Sequence, residues 1–175
     1  GILAFENKDN SKALEFFNAS KILINKHDPY LKRYIYTLVL ENKISQAINV
    51  VKSNKNNSNT NFFDAYLLLI LDSLKKNNLN QADLYLSEAF KFLGQSKINA
   101  VILETLKQYI FVFRENRISD DKKNFGKLSL ISETFQKCYL GDSKTDEYFS
   151  SLISDPGTDY SRYIFFYLSY LIENN

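Results

Sequence analysis

The chain has 175 residues, 45% of them hydrophobic and 24% charged, the make-up of a folded domain rather than a disordered one. Its 22 basic and 20 acidic residues leave a net charge of +2, so no field of one sign argues for nucleic acid as a partner. Five glycines and two prolines are too few for the turns of a sandwich or barrel, and long helices with short connections fit better.

In chain order, an apolar run from Gly1 gives way to a polar turn, ENKDNSKAL, at 6–14. KALEFFNASKIL, 12–23, then carries apolar residues at helical spacing. His27, the single histidine, stands just before a helix start and reads as a surface loop residue. Asp28 followed by Pro29 has the form of an N-cap with proline at the first helical position. DPYLKRYIYTLVLENK predicts a helix from 28 that ends at ENKISQAI, 41–48, an echo of the first turn. Lys52, on the helix after that echo, is expected to face outward. NKNNSNTN, 54–61, has no apolar residue and predicts a loop. NFFDAYLLLILDSLKKNN, 61–78, predicts the next helix, and KNNLNQA, 76–82, is a third echo. Asn80 is placed to cap a helix through Leu93, with Ala82, Tyr85, Leu86, Ala89, Phe90 and Leu93 on one stripe. Gly94 is placed to end that helix in the left-handed conformation.

ENRIS, 115–119, is the fourth echo, yet Phe125 to Leu140 already reads as a new helix. Residues 117–124 therefore predict a loop or a single turn, with a long bent helix as the alternative. Gly141 ends the helix from Phe125, and Asp142 or Ser143 starts the next. Asp155, Pro156, Gly157 and Thr158 form a stop and a restart. The final YLSYLIENN lines up with YTLVLENK of 36–43. In register, Ala13 to Ala47 is 34 positions and Ala47 to Ala82 is 35, and a steady period in the thirties marks an array of helical hairpins. NSKALEFF, 10–17, matches DSKTDEYF, 142–149, which puts Thr145 and Phe149 at the places of Ala13 and Phe17. Ala82 to Thr145 is 63 positions, short of two periods.

These residues resemble the tetratricopeptide repeat family. Its second helix carries a small residue, a large apolar residue four later and another small residue three after that, as do Ala13, Phe17 and Ser20, and Ala82, Leu86 and Ala89. Ala47 and Val51 fit but Asn54 departs; Thr145 and Phe149 fit but Leu152 departs. Gly1 falls where the family's first helix has its own small residue, whereas Ile35, Ile70 and Glu133 depart there. The family's proline near the repeat end appears only as Pro29 and Pro156. The resemblance implies an all-α fold, a right-handed α-α superhelix, or solenoid, of stacked antiparallel helix hairpins. On that frame 1–175 is a single array cut from a longer chain: 1–27 a partial first repeat, 28–60 the second, 61–94 the third, 95–124 a degenerate fourth, 125–156 the fifth, and 157–175 the first helix of a further repeat.

The resemblance further implies a non-catalytic protein–protein interaction or scaffolding segment that binds a peptide or helix on its concave face. The alternatives are a regulatory or substrate-positioning arm of a larger enzyme, and a structural spacer without a ligand. By position, the concave residues are Lys32, Arg33 and Tyr36, then Leu67, Leu68 and Leu71, then Ile164, Phe165 and Leu168. Of these, Lys32, Arg33, Tyr36, Leu67 and Leu71 are the partner-binding candidates. The family's carboxylate clamp is not made, because Lys32 and Arg33 lack its asparagine and the third repeat offers leucines. Those leucines read as an apolar groove or as buried, with burial favoured. Tyr160, Tyr163, Tyr167 and Tyr170 form an aromatic strip at helical spacing and read as packing between repeats.

Little in the chain points to bond-making chemistry. Cys138 stands alone and reads as a small buried apolar residue. There is no Gly-rich phosphate loop, no HExxH and no second histidine, so no catalytic, cofactor-binding or metal-binding residue is expected. Asp120 with Asp121, and Asp146 with Glu147, sit at turns or helix starts and read as solvated or capping. Asn18-Ala19-Ser20 has the form of a glycosylation acceptor but falls inside a helix. The apolar runs Tyr66 to Leu71 and Tyr163 to Leu168 are far below the ~18 residues of a membrane span. The chain begins and ends within repeats, which predicts self-association through the cut ends and leaves no leader from which to assign a compartment.

Overall fold

The computed structural model describes residues 1–24, 26–55, 60–154, 156, 157, 159 and 161–174. It is all-helical, with ten α-helices and no strand among the described residues. The chain falls into two compact units, Gly1–Phe92 and Leu93–Asn175, and each is described by itself.

The first unit holds α1 (Ile2–Glu6), α2 (Asn10–Ala19), α3 (Asp28–Leu40), α4 (Ile44–Ser53), α5 (Phe63–Lys75) and α6 (Leu79–Ala89). Consecutive helices pack on one another from α1 through α6. One turn geometry joins α1 to α2, α3 to α4 and α5 to α6. Lys8, Asn42 and Asn77 take the left-handed conformation, with φ of 60°, 56° and 54°. Around Asn42 the amide of Asn42 donates to Val39 O (3.0 Å) and that of Lys43 to Leu38 O (2.8 Å). The same pair of bonds recurs from Lys8 and Asp9 to Phe5 O and Ala4 O, and from Asn77 and Asn78 to Leu74 O and Ser73 O. This is the Schellman closure, which satisfies carbonyls the ending helix leaves free. The next residue is already the N-cap of the second helix: Asp9, Lys43 or Asn78. Five positions past each left-handed residue stand Ala13, Ala47 and Ala82, all fully buried. So short a turn holds its two helices close, and a methyl group fits between them.

This geometry corrects three expectations. Because Asn77 makes the bend, Asn78 and not Asn80 sits at the cap, and its side chain accepts from the Gln81 amide at 3.1 Å. The following helix stops at Ala89, and Gly94 lies in a 3-10 turn, Phe90–Gln95, outside the left-handed region. His27, with extended backbone and an exposed side chain, is the N-cap of α3, so Asp28 is its first residue, followed by Pro29. Of the predicted loop at 54–61, residues 56–59 lie outside the described ones, and Thr60 is buried with its hydroxyl donating to Asn54 O at 2.9 Å.

The core of this unit is where α2, α4 and α6 meet α3 and α5. Phe17 stands edge-on to Tyr30, ring centroids 5.3 Å apart, and close to Tyr34. The Tyr30 hydroxyl donates to Phe17 O, and burial, with Tyr34 beside it, pushes the Tyr30 hydroxyl up to about 12. Tyr34 OH donates to Asn18 Oδ1 at 2.8 Å, so the asparagine of the Asn-Ala-Ser string is engaged within the fold.

The second unit holds α7 (Lys97–Glu115), α8 (Lys127–Leu140), α9 (Thr145–Ile153) and α10 (Ile164–Asn174). Ser96 caps α7, its hydroxyl accepting from the Ile98 amide at 3.1 Å. Asn116 ends α7 in the left-handed conformation, φ 51°, like Asn42 in ENKISQAI. No second helix follows, and 117–124 hold no helical residue. The reason is composition: SDDKKN, 119–124, has no apolar side chain to bury. Gly141, φ 63°, ends α8 with the Schellman pair again. Asp142 Oδ1 accepts from the Lys144 amide at 2.8 Å, and α9 begins at Thr145. Thr145, Phe149 and Leu152 are fully buried on α9. Phe149 stacks on Tyr167 at 5.2 Å and lies 6.1 Å from Tyr170, while Tyr163 meets Phe135 at 5.7 Å. These three tyrosines are packing residues, as their spacing suggests; Tyr160, Asp155 and Thr158 lie outside the described residues. Cys138 is half-buried rather than buried, and burial, with Glu173 adding to it, pushes its thiol up, away from the reactive thiolate.

Candidate functional site

The candidate surface is carried by α3 and α5. Lys32, Arg33 and Tyr36 lie at i, i+1 and i+4 of α3, so Lys32 and Tyr36 stand one turn apart on one face. The Lys32 ammonium sits 5.6 Å from the centroid of Tyr36 and 5.4 Å from that of Phe62, in cation–π range of both. Tyr36 is edge-on to Phe62 at 6.2 Å. Its hydroxyl donates to Asp64 Oδ2 at 2.6 Å. Burial and then the Asp64 carboxylate raise the Tyr36 hydroxyl above the usual tyrosine range, so it stays a donor at neutral pH. Arg33 Nη2 lies 3.7 Å from Glu6 Oε1. Polar side chains thus tie α1 to α3 and α3 to the start of α5, along the first helix of each hairpin.

On α5, Leu67 and Leu68 are half-buried and Leu71 is 47% exposed. The expectation of burial therefore fails for Leu71, which leaves an apolar side chain one turn beyond Leu67. The third set, Ile164, Phe165 and Leu168, belongs to the second unit and is exposed on α10. Cations, a phenol and an exposed leucine can hold an acidic or apolar chain.

No family model, no curated protein and no solved structure matches this chain. Among the described residues no group of three or more His, Cys, Asp or Glu side chains is placed to hold a metal ion. Among them, too, no helix is long and apolar enough to cross a membrane.

Two clusters form only in three dimensions. Lys52 does not simply face outward: its ammonium meets Asp72 Oδ2 at 2.6 Å, and Lys76 meets the same carboxylate at 2.8 Å. Those two donors hold the Asp72 carboxyl below the usual range, and α4 is thereby bound to α5. In the second unit, Glu104 is buried with its carboxylate 2.5 Å from Lys123 Nζ, and buried Gln136 donates to Gln108 Oε1 at 3.3 Å. The available signal was Glu104 and Gln108 at helical spacing with Val101, Phe111 and Val112 on one side of α7. A polar residue on an apolar stripe asks for a buried partner.

Proposed function

We propose that this chain is a degenerate tetratricopeptide-like segment, its hairpins stacked in a right-handed superhelix, that serves as a non-catalytic protein-interaction or scaffolding element. The observation that carries the reading is the turn used three times at 34- and 35-residue spacing, each followed by a buried alanine. A hairpin of this kind cannot bury both faces alone, so stacking supplies the core and the first helices are left to line a binding surface. Lys32, Arg33 and Tyr36 on α3 and Leu67 and Leu71 on α5 would present that surface. Its occupant would be an extended or helical peptide with an apolar side chain for Leu71 and an acidic one for Lys32.

The test is a selection from a random peptide library on the purified chain, followed by affinity measurements on two variants. Leu71→Asp should weaken the selected peptides at least about tenfold, the scale of one buried apolar anchor. Leu84→Asp alters a leucine of similar exposure, 50%, on a second helix, α6, and should leave affinity unchanged. Equal losses would mean adhesion to any exposed leucine. A second reading, a structural spacer without a ligand, is favoured by one observation: Arg33 and Tyr36 already face partners within the fold, Glu6 and Asp64. Failure to select any peptide would support it.

A further inference from the structure

In the second unit, α8 is held in two chemically different ways. Toward α9 and α10 its contacts are aromatic: Phe135 meets Phe149 at 5.8 Å, Tyr163 at 5.7 Å and Phe166 at 5.1 Å. Its buried residues are Ser132, Thr134, Gln136 and Lys137, all polar. Toward α7 the seam is polar as well. Gln136 donates to Gln108, and Tyr109 OH donates to Ser132 O at 3.4 Å. The aromatic pair there, Phe113 with Tyr139 at 4.8 Å, has Tyr139 more than half exposed. Such a seam gains little from removing apolar area from water.

The connection that spans it is charged, and three successive residues alternate in what they grip. Asp121 pairs with Lys107 of α7 at 3.2 Å, Lys122 with Glu133 of α8 at 2.7 Å, and Lys123 with Glu104 of α7 at 2.5 Å. Glu133 also accepts from Tyr148 OH of α9 at 3.1 Å, which extends the grip to a third helix. The Glu104 side chain is only 9% exposed, so without Lys123 a nearly buried carboxylate would lose its counter-charge. Lys107 and Asp121 are well exposed, and salt screens that pair most readily.

We propose that residues 116–126 form an electrostatic strap that latches α7 to the group α8, α9 and α10. When the strap's ion pairs are screened or broken, the polar seam beneath it opens as a unit while the aromatic cluster around Phe149 stays closed. The test is hydrogen exchange on the full chain, read peptide by peptide by mass spectrometry. Raising salt from about 0.01 M to about 1 M shortens the screening length from about 30 Å to about 3 Å. Opening of the seam amides, 104–112 and 132–139, should then become about tenfold more frequent, with the amides of Phe149 and Leu152 unchanged. Lys123→Gln should open the seam to a similar extent at low salt, by stranding Glu104. The double variant Glu104→Gln with Lys123→Gln removes both charges, and should recover most of the protection and respond less to salt. Seam protection that ignores both salt and Lys123→Gln would overturn the proposal. So would loss of protection at Phe149 and Leu152 in proportion to the seam, since that is unfolding of the whole unit.

Discussion

Lys8 carries a cost that Asn42, Asn77 and Gly141 largely avoid. The left-handed conformation brings the Cβ of an ordinary residue against the following carbonyl, at roughly 1–2 kcal/mol, while glycine has no Cβ and asparagine hydrogen-bonds locally. Lys8→Gly should therefore stabilise the first unit by about 0.5–1 kcal/mol, net of the extra backbone entropy of glycine in the unfolded chain. Chemical denaturation followed by circular dichroism checks this; a destabilised variant would mean that the turn at Lys8 is not closed as described. Five residues past the third turn, Ala82 is fully buried between α5 and α6. Ala82→Leu should overpack that contact and cost about 1–3 kcal/mol in the same experiment. These positions are legible in the sequence because their causes are local. Asn42 in ENK and Asn77 in KNN suit the left-handed bend, whereas in ENK at 6–8 the bend falls one residue later, on Lys8; an alanine at fixed distance answers the closeness of the helices. The cap at Asn78 was not legible, because in the string KNNLN three asparagines compete and only the closed turn selects among them.

Between elements, side chains far apart in sequence do the joining. Lys52 and Lys76 converge on Asp72, whose side chain is 10% exposed, and hold its carboxyl ionised to lower pH than usual. A folded-state carboxyl held below its unfolded value, about 3.9, contributes stability above that value and loses it as pH falls through the folded one. Both lysines are more than two-fifths exposed, so solvent keeps the contribution near the surface range of about 0.5–1 kcal/mol. Asp72→Asn should be less stable than the parent by that amount at pH 7, and the difference should shrink as pH falls below the unfolded value and through the lowered folded one. Urea titrations across that range measure it; a difference independent of pH would mean that packing, not charge, makes the contact. Arg33 with Glu6 and Tyr36 with Asp64 have the same character, at separations of 27 and 28 residues. Helical periodicity shows which face a residue occupies. It does not show which residue of the next hairpin will stand opposite, since that depends on how the hairpins stack.

At the scale of the molecule, the helical class, the hairpins and the break at 117–124 follow from composition, echoes and the run SDDKKN. The candidate surface is less legible: the sequence places Lys32, Arg33, Tyr36, Leu67 and Leu71 on first helices, but exposure at Leu71 and the partners of Arg33 and Tyr36 emerge only in three dimensions. The first helices, α3 and α5 above all, are proposed to present an interaction surface. The most direct measurement is nuclear magnetic resonance of the isotopically labelled chain titrated with a peptide selected on it. Amide shifts should grow with saturation and cluster at Lys32, Arg33, Tyr36, Leu67 and Leu71, with α4 and α6 unmoved. Shifts centred on α4 or α6, or a folded chain on which no peptide produces any, would contradict it.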